Sequence, residues 1–418
     1  MHTKVVIVGG GFAGLSVARQ LDSEEFDITI IDKTNHHVFQ PLLYQVATAA
    51  LSPGDIAVPI RAIFTKKKNV RVLLGEVVSV DTNNNKVELK GQNSISFDYL
   101  ILAPGTNYNY FGNDHWKQYA PGLKTLSNAL DIREKILLSL EKAEQIADHE
   151  LRKKYLTYVI IGAGPTGVEM AGSIAEIVKR NMMRDYRNFN IDDTNIYLIE
   201  AANGVLNMYP ESLSKKAEQT LKEMGVEVLL NSPVEDITLD KVKVGGKEIE
   251  SSNIIWAAGT QVPPLITELD EPQDRIGRIK VNKDLSITQN KNVFVIGDAS
   301  YFEDKKGNPL PGVAPVALQQ GKFLGKLIKE EVRKNKTRPQ FSYLDKGTMA
   351  TIGRAKAVAD IKGFTLSGLI AWLMWGFIHI FFLIGFRNRF RVFAEWVWHY
   401  LTFKRGVRLI TYKDENSE

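Results

Sequence analysis

A strand–glycine turn–helix unit that occurs twice restricts this chain more than any other feature. Residues 4–8, Lys-Val-Val-Ile-Val, run into Gly9-Gly10-Gly11-Phe12-Ala13-Gly14, and a helical pattern follows over residues 15–21. Gly9 suits the tight turn, Gly11 lets the backbone approach a ligand, and Gly14 lets the helix lie close to its strand. An anion can then sit on the free amides of the helix N-terminus. A second strand, residues 26–31, ends in Asp32, 23 positions after Gly9, where a carboxylate can accept hydrogen bonds from a ribose.

The arrangement returns at residues 158–161, Gly162-Ala163-Gly164-Pro165-Thr166-Gly167 and a helix over residues 168–179. Its strand, residues 196–199, ends in Glu200, 38 residues after Gly162, because a longer helix and a polar stretch at 184–195 intervene. One glycine turn can be a plain structural corner, whereas two with their acids imply two dinucleotides. Glu200 is followed by Ala201-Ala202-Asn203 with no arginine, so it suits two ribose hydroxyls and repels a 2′-phosphate. That favours NADH over NADPH; a plain surface acid after a strand is the alternative.

A third signal is the apolar strand at residues 292–296, which ends in Gly297-Asp298. An aspartate at that edge can reach the ribityl chain and pyrophosphate of a flavin. Because this strand follows the second unit, the first domain must be interrupted. The expected architecture is α/β, with two nested Rossmann-like dinucleotide-binding domains. Residues 1–115 and 286–345 would hold FAD, 116–285 would hold NADH, and 346–418 would form a helical region that associates with a membrane.

Composition narrows the chemistry. None of the 418 residues is cysteine, which removes disulfides, thiolate zinc sites, cysteine-ligated clusters and redox dithiols, so redox chemistry needs an organic cofactor. A formal charge of +5 does not point to nucleic acid. His36 and His37 are adjacent and lack acidic or thiolate companions, so no metal is assigned. The N-terminus enters its first strand without a leader-like segment, which places the expected start in the cytoplasm.

The chain resembles the type II NADH dehydrogenases, single-subunit NADH:quinone oxidoreductases of the two-dinucleotide-binding-domain flavoproteins. Besides the glycine turns, the resemblance rests on residues 32–47 (DKTNHHVFQPLLYQVA), Leu102-Ala103-Pro104-Gly105-Thr106, Trp256-Ala257-Ala258-Gly259 and Gly297-Asp298. It continues in residues 312–321 (GVAPVALQQG) and Thr351-Ile352-Gly353-Arg354, and covers nearly the whole chain. It implies a glutathione-reductase-like fold without the dithiol, and hydride transfer from NADH to the flavin. For FAD it implies the first turn, Gly9, Gly11, Phe12, Ala13 and Gly14, with Asp32, Lys33, Gln45, Val78, Ala103, Gly105, Gly297, Asp298 and Ala314. For NADH it implies Gly162, Gly164, Thr166, Gly167, Glu200, Ala258, Gly259 and Glu169. Glu169 is also a catalytic candidate beside the nicotinamide, or else an acid stabilised by the helix dipole. The chain departs from the family at Pro315, where many members carry a glutamine at the quinone headgroup. Gln319, the second catalytic candidate, and Gln320 remain for the flavin edge or a quinone carbonyl, with packing as the alternative.

Residues 363–386 contain no Asp, Glu, Lys or Arg over 24 positions, long enough to span a bilayer. Glycines at 363, 368, 376 and 385, His379 near the middle, and central Trp372 and Trp375 favour a segment lying on the surface; a buried core helix and a single spanning helix are the other readings. Arg387, Arg389 and Arg391, then Trp396, Trp398 and Tyr400, then Lys404, Arg405 and Arg408 suit an anionic cytoplasmic leaflet. The expected protein is peripheral or monotopic on the cytoplasmic face of the inner membrane, with His379 as a quinone contact. It would pass two electrons to a membrane quinone without pumping protons. The rivals are an NADH-dependent reductase of a small redox protein and a non-catalytic NADH-sensing flavoprotein; a homodimer is a further alternative, with the oligomeric state left open.

Overall fold

Continuous apolar runs bury both faces only in the middle of a parallel sheet, and Val5-Val6-Ile7-Val8 is such a run. In the computed structural model, which describes residues 2–181, 185–334, 338–402 and 406–410, its strand Thr3–Val8 lies between Phe26–Asp32 and Tyr99–Leu102. Val70–Leu74 and Val293–Val295 complete this five-stranded sheet at its edges, all parallel. The helix Phe12–Gln20 packs backbone to backbone on Ala314–Lys334: a Cβ on Gly321 would sit 2.4 Å from the Ala13 carbonyl oxygen.

These elements belong to one of two compact units, built from Met1–His37, Val58–Asn107 and Thr260–Asp345. Its core joins Val6, Leu100, Val293 and Val295 to Val77, Val87 and Leu89 of the antiparallel sheet Val77–Asp81, Lys86–Leu89, Ile95–Ser96. Val262, Ile266, Leu269 and Ile279 enter the same core, so the chain rejoins this unit at Thr260, ahead of the return at 286 expected from sequence.

The second unit, Val38–Ala57, Tyr108–Gly259 and Lys346–Glu418, repeats the plan. Its parallel sheet runs Glu227–Leu229, Asn195–Ile199, Thr157–Ile161, Asn253–Trp256. The helix after the second glycine turn, Pro165–Glu176, continues into a π-helical turn at Ile177–Asn181. This helix presses on the strand Thr348–Gly353 so closely that a Cβ on Gly172 would lie 1.5 Å from the Ile352 carbonyl oxygen. The C-terminal region is thus packed into the second unit.

Residues 363–386 do not form one element. Phe364–Ser367 is the edge strand of an antiparallel sheet with Lys356–Ile361 and Thr348–Gly353, Gly368 takes a positive φ of 75° and opens the helix Leu369–Phe382, and Gly385 (φ 90°) precedes the helix Phe386–Thr402. No helix among the described residues is long and apolar enough to cross a membrane. Of the tryptophans expected at a lipid interface, Trp375 is turned inward at 2% exposure and Trp372 is half-buried, whereas Trp398 is exposed. The outward face carries Ile370, Leu373, Phe377, Phe381, Phe386 and Phe390. Arg184, Lys404, Arg405 and the acidic tail at 414–418 lie outside the described residues.

Candidate functional site

Both glycine turns are closed by the same bonds. The Gly9 amide donates to the Ile31 carbonyl at 2.8 Å and the Gly162 amide to Ile199 at 2.7 Å. Each of these glycines has a positive φ, 106° and 101°, which a side chain would strain. The turn also leaves no room: a Cβ on Gly9 would meet the Ala103 carbonyl oxygen at 2.1 Å, and one on Gly162 the Ala258 backbone at 2.8 Å. Gly14 and Gly167 press their helices on the turn, with added Cβ atoms 2.1 and 1.8 Å from the Gly9 and Gly162 oxygens. Gly11 and Gly164, by contrast, face open space, with nothing within 4 Å of an added Cβ. Free amides and open space at a helix N-terminus fit a pyrophosphate.

The two acids are seated alike. Asp32 accepts from the Gly10 amide at 2.6 Å and, on its other oxygen, from the Thr34 amide and hydroxyl at 2.7 and 2.8 Å. Glu200 accepts from Ala163 at 2.6 Å and Ala202 at 2.9 Å. These bonds aim each carboxylate at its turn and leave lone pairs for ribose hydroxyls. His37 donates from Nδ1 to the Gly10 carbonyl at 3.1 Å, with the edge of Phe12 against it; burial pushes its pKa down to about 4, so it stays neutral. No three His, Cys, Asp or Glu side chains gather around a point that could hold a metal among the described residues.

Within the first unit, Gly297 (φ 72°) turns the chain so that Asp298 meets the Thr106 hydroxyl at 3.4 Å, and Gly105, also at positive φ, faces open space. Ala314 and Pro315 begin a helix, where the missing proline N–H costs nothing. The two glutamines brace the fold. Gln320 is fully buried, accepting from the Gly297 amide at 2.6 Å and donating to Ser300 at 3.1 Å; Gln319 exchanges two bonds with the Leu344 backbone, at 3.0 and 2.9 Å. Lys33 pairs with Glu76 at 2.7 Å, and Val78 is 42% exposed on its strand.

In the second unit, Ala258 accepts the Trp256 indole N–H at 2.6 Å, Gly259 has φ 64°, and Thr166 hydrogen-bonds Tyr108. The same unit contains a narrow cavity that brings Glu169 together with Gln45. Glu169, Ser173 and Glu176 follow one face of their helix into it, and Tyr44, Arg354, Trp375, Trp396, His399 and Tyr400 add walls. Burial pushes the Glu169 carboxyl up to about 8, against a weaker opposing bond from the Thr351 backbone. Trp396 donates to the Gln45 oxygen at 2.7 Å and the Gln45 amide donates to the Tyr44 hydroxyl at 2.8 Å. Thr48 and Ser173 share a hydroxyl bond of 2.7 Å, and the Arg354 guanidinium lies 4.1 Å over the Tyr400 ring.

His379 is not part of this wall; it stacks on Trp375 at 4.2 Å and bonds the Trp375 carbonyl at 2.6 Å, with burial pushing its pKa down to about 4. Sequence reading missed Trp375, Trp396 and His399 as site residues. Helical spacing gave no signal for Trp375: the buried pair Ala371 and Trp375 are four apart, and so are the exposed Leu373, Phe377 and Phe381.

Two family models match the chain: pyridine nucleotide-disulphide oxidoreductase over residues 3–321 and the NDH2 C-terminal domain over 346–405. The chain is 40% identical to the type II NADH:quinone oxidoreductase Ndh of Mycobacterium tuberculosis, over 98% of this chain and 90% of that one. It is 30% identical to a type II NADH:quinone oxidoreductase of Staphylococcus haemolyticus, over 89% and 92%. Its fold matches NDH2 from Plasmodium falciparum, solved in complex with NADH, at a TM-score of 0.90 and 23% identity over 99% and 100% of the two chains.

Proposed function

We propose that this chain, which belongs to the type II NADH:quinone oxidoreductase family of the pyridine nucleotide-disulphide oxidoreductases, oxidises NADH and reduces a membrane quinone, with FAD carrying two electrons between them and no protons pumped. The observation that carries this reading is the duplicated glycine turn, each copy with an open amide cradle and a carboxylate clamped beside it. We assign FAD to the first turn, because Asp298 stands in that unit at a strand's carboxyl edge, with Ala103, Gly105 and Ala314. NADH falls to the second, where Glu200 would hold two ribose hydroxyls and repel a 2′-phosphate.

Reduction of a quinone by NADH consumes one proton from solution. Glu169, protonated near neutrality, would hold that proton at the cavity wall and deliver it to a quinone oxygen. The cavity is the proposed headgroup site: aromatic rings supply flat apolar walls, and the Trp396–Gln45–Tyr44 chain holds them in place. Of the acceptor contacts considered from sequence, Gln319 and Gln320 have their amides engaged within the first unit, which moves the weight of the assignment to the cavity.

The same unit offers a way for a lipophilic substrate to arrive. The outward residues of its last two helices, Phe377 at 72% and Phe390 at 64% exposure among them, form an apolar face suited to lying in a bilayer surface. Arg387 has no ion-pair partner among the described residues and suits the anionic headgroups of the cytoplasmic leaflet, whereas Arg389 bonds the Leu383 carbonyl at 2.8 Å and Arg391 pairs with Asp55 at 3.8 Å. A reductase of a small soluble redox protein needs no such face.

Anaerobic stopped-flow mixing tests the reading. NADH should bleach the bound flavin, and menadione should restore its colour within turnover time. Reduced enzyme that stays reduced in menadione would rule out quinone reduction and leave the redox-protein reductase and the sensing flavoprotein.

A further inference from the structure

We propose that the indole N–H of Trp375 donates the hydrogen bond that fixes a quinone carbonyl in the cavity of the second unit, an assignment that rests on that cavity being the acceptor site. Trp375 lines the cavity, yet its Nε1 is buried and has no acceptor among the described residues. Buried indole N–H groups almost always have a partner, and an orphan in a native fold calls for one that arrives from outside.

Several neighbouring donors are engaged within the protein: Trp396 with Gln45, Gln45 with Tyr44, and the Thr48 and Ser173 hydroxyls with each other. Trp375 cannot turn toward a protein acceptor of its own, because its ring is stacked on His379 at 4.2 Å and packed on Trp396 at 5.3 Å. A quinone is the complement of this wall. It is flat, it presents two carbonyl oxygens, and it carries no donor to answer them. An indole N–H can only donate, so the bond favours the oxidised carbonyl over the less basic hydroxyl oxygen of the product, and release of quinol follows reduction.

The test uses oxidised holoenzyme and carbonyl-¹³C menadione. In the wild type, the infrared stretch of one bound carbonyl should fall below its value in an aprotic solvent. Trp375→Phe keeps a stacked ring but removes the N–H. It should abolish that displacement and raise the menadione KM roughly three- to tenfold, the range of one lost hydrogen bond. Bleaching of the flavin by NADH is the control for folding. An unchanged carbonyl frequency in the variant overturns the proposal.

Should the variant fail to fold, wild-type holoenzyme carrying ¹⁵N-labelled tryptophan answers the same question. Saturating menadione should move one of the six indole protons downfield, and no such movement overturns the proposal. Wild-type enzyme that never reduces menadione would instead remove the underlying functional reading.

Discussion

Burial lifts the Glu169 carboxyl from its ordinary 4.5 to about 8, so the folded chain keeps a proton there that the unfolded chain releases in between. Stability from this group is therefore full below about pH 4.5 and is lost as pH rises toward 8. Glu169→Gln should raise the melting temperature relative to wild type at pH 8.5 and change it little at pH 4.5. In turnover, reoxidation of reduced enzyme by menadione should fall in the wild type as pH passes about 8, where the donor proton leaves. The variant should be at least roughly tenfold slower and lack that inflection; an inflection that survives the substitution would assign the proton to another group. Glu200→Gln should raise the use of NADPH relative to NADH, read as the ratio of the two kcat/KM values; an unchanged ratio would show that another group sets the preference. Asp32 and Glu200 were legible in sequence because a strand end at a known distance from a glycine turn fixes where a carboxylate goes. Trp375 was not, because its role depends on which side of its helix faces a neighbour.

Helix Pro165–Glu176 can carry Glu169 to the cavity only because Gly172 lets it touch the strand Thr348–Gly353. Gly172→Ala would force a methyl into the Ile352 carbonyl, and the helix must shift; a cost of about 1–3 kcal/mol follows from overpacking. The expected outcome is a lower melting temperature together with slower reoxidation by menadione. A variant with wild-type stability would mean that the two backbones are not in contact. Elements with strong periodicity, the two parallel sheets and their glycine-turn helices, matched their sequence patterns closely. Residues 363–386 did not. An apolar run looks the same as a strand followed by a helix or as one long helix, and the division at Gly368 depends on pairing between Phe364–Ser367 and Lys356–Ile361.

For the molecule as a whole, the exposed aromatic face of the last two helices is the feature that a water-soluble enzyme would least be expected to keep. Phe377→Glu combined with Phe390→Glu should release the protein from vesicles of mixed neutral and anionic lipid in a flotation assay. Each buried phenylalanine contributes roughly 1.5–3 kcal/mol, so the loss of binding should exceed tenfold. Flotation equal to wild type would rule out these two rings as a membrane contact.

The sequence by itself determined the chemistry of the two dinucleotide cradles, because that chemistry is local: a turn, a helix end and a carboxylate lie within a few tens of residues and follow from backbone sterics. It also determined that no thiol takes part, since none is present. Tertiary structure alone decided what closes the cavity around Glu169. Gln45, Glu169, Arg354, Trp375 and Trp396 come from separate stretches of the chain, and only packing brings them together. It also turned Trp375 inward and Phe377 outward on one helix, because a helix that is apolar all round carries no mark of which face its neighbours will cover.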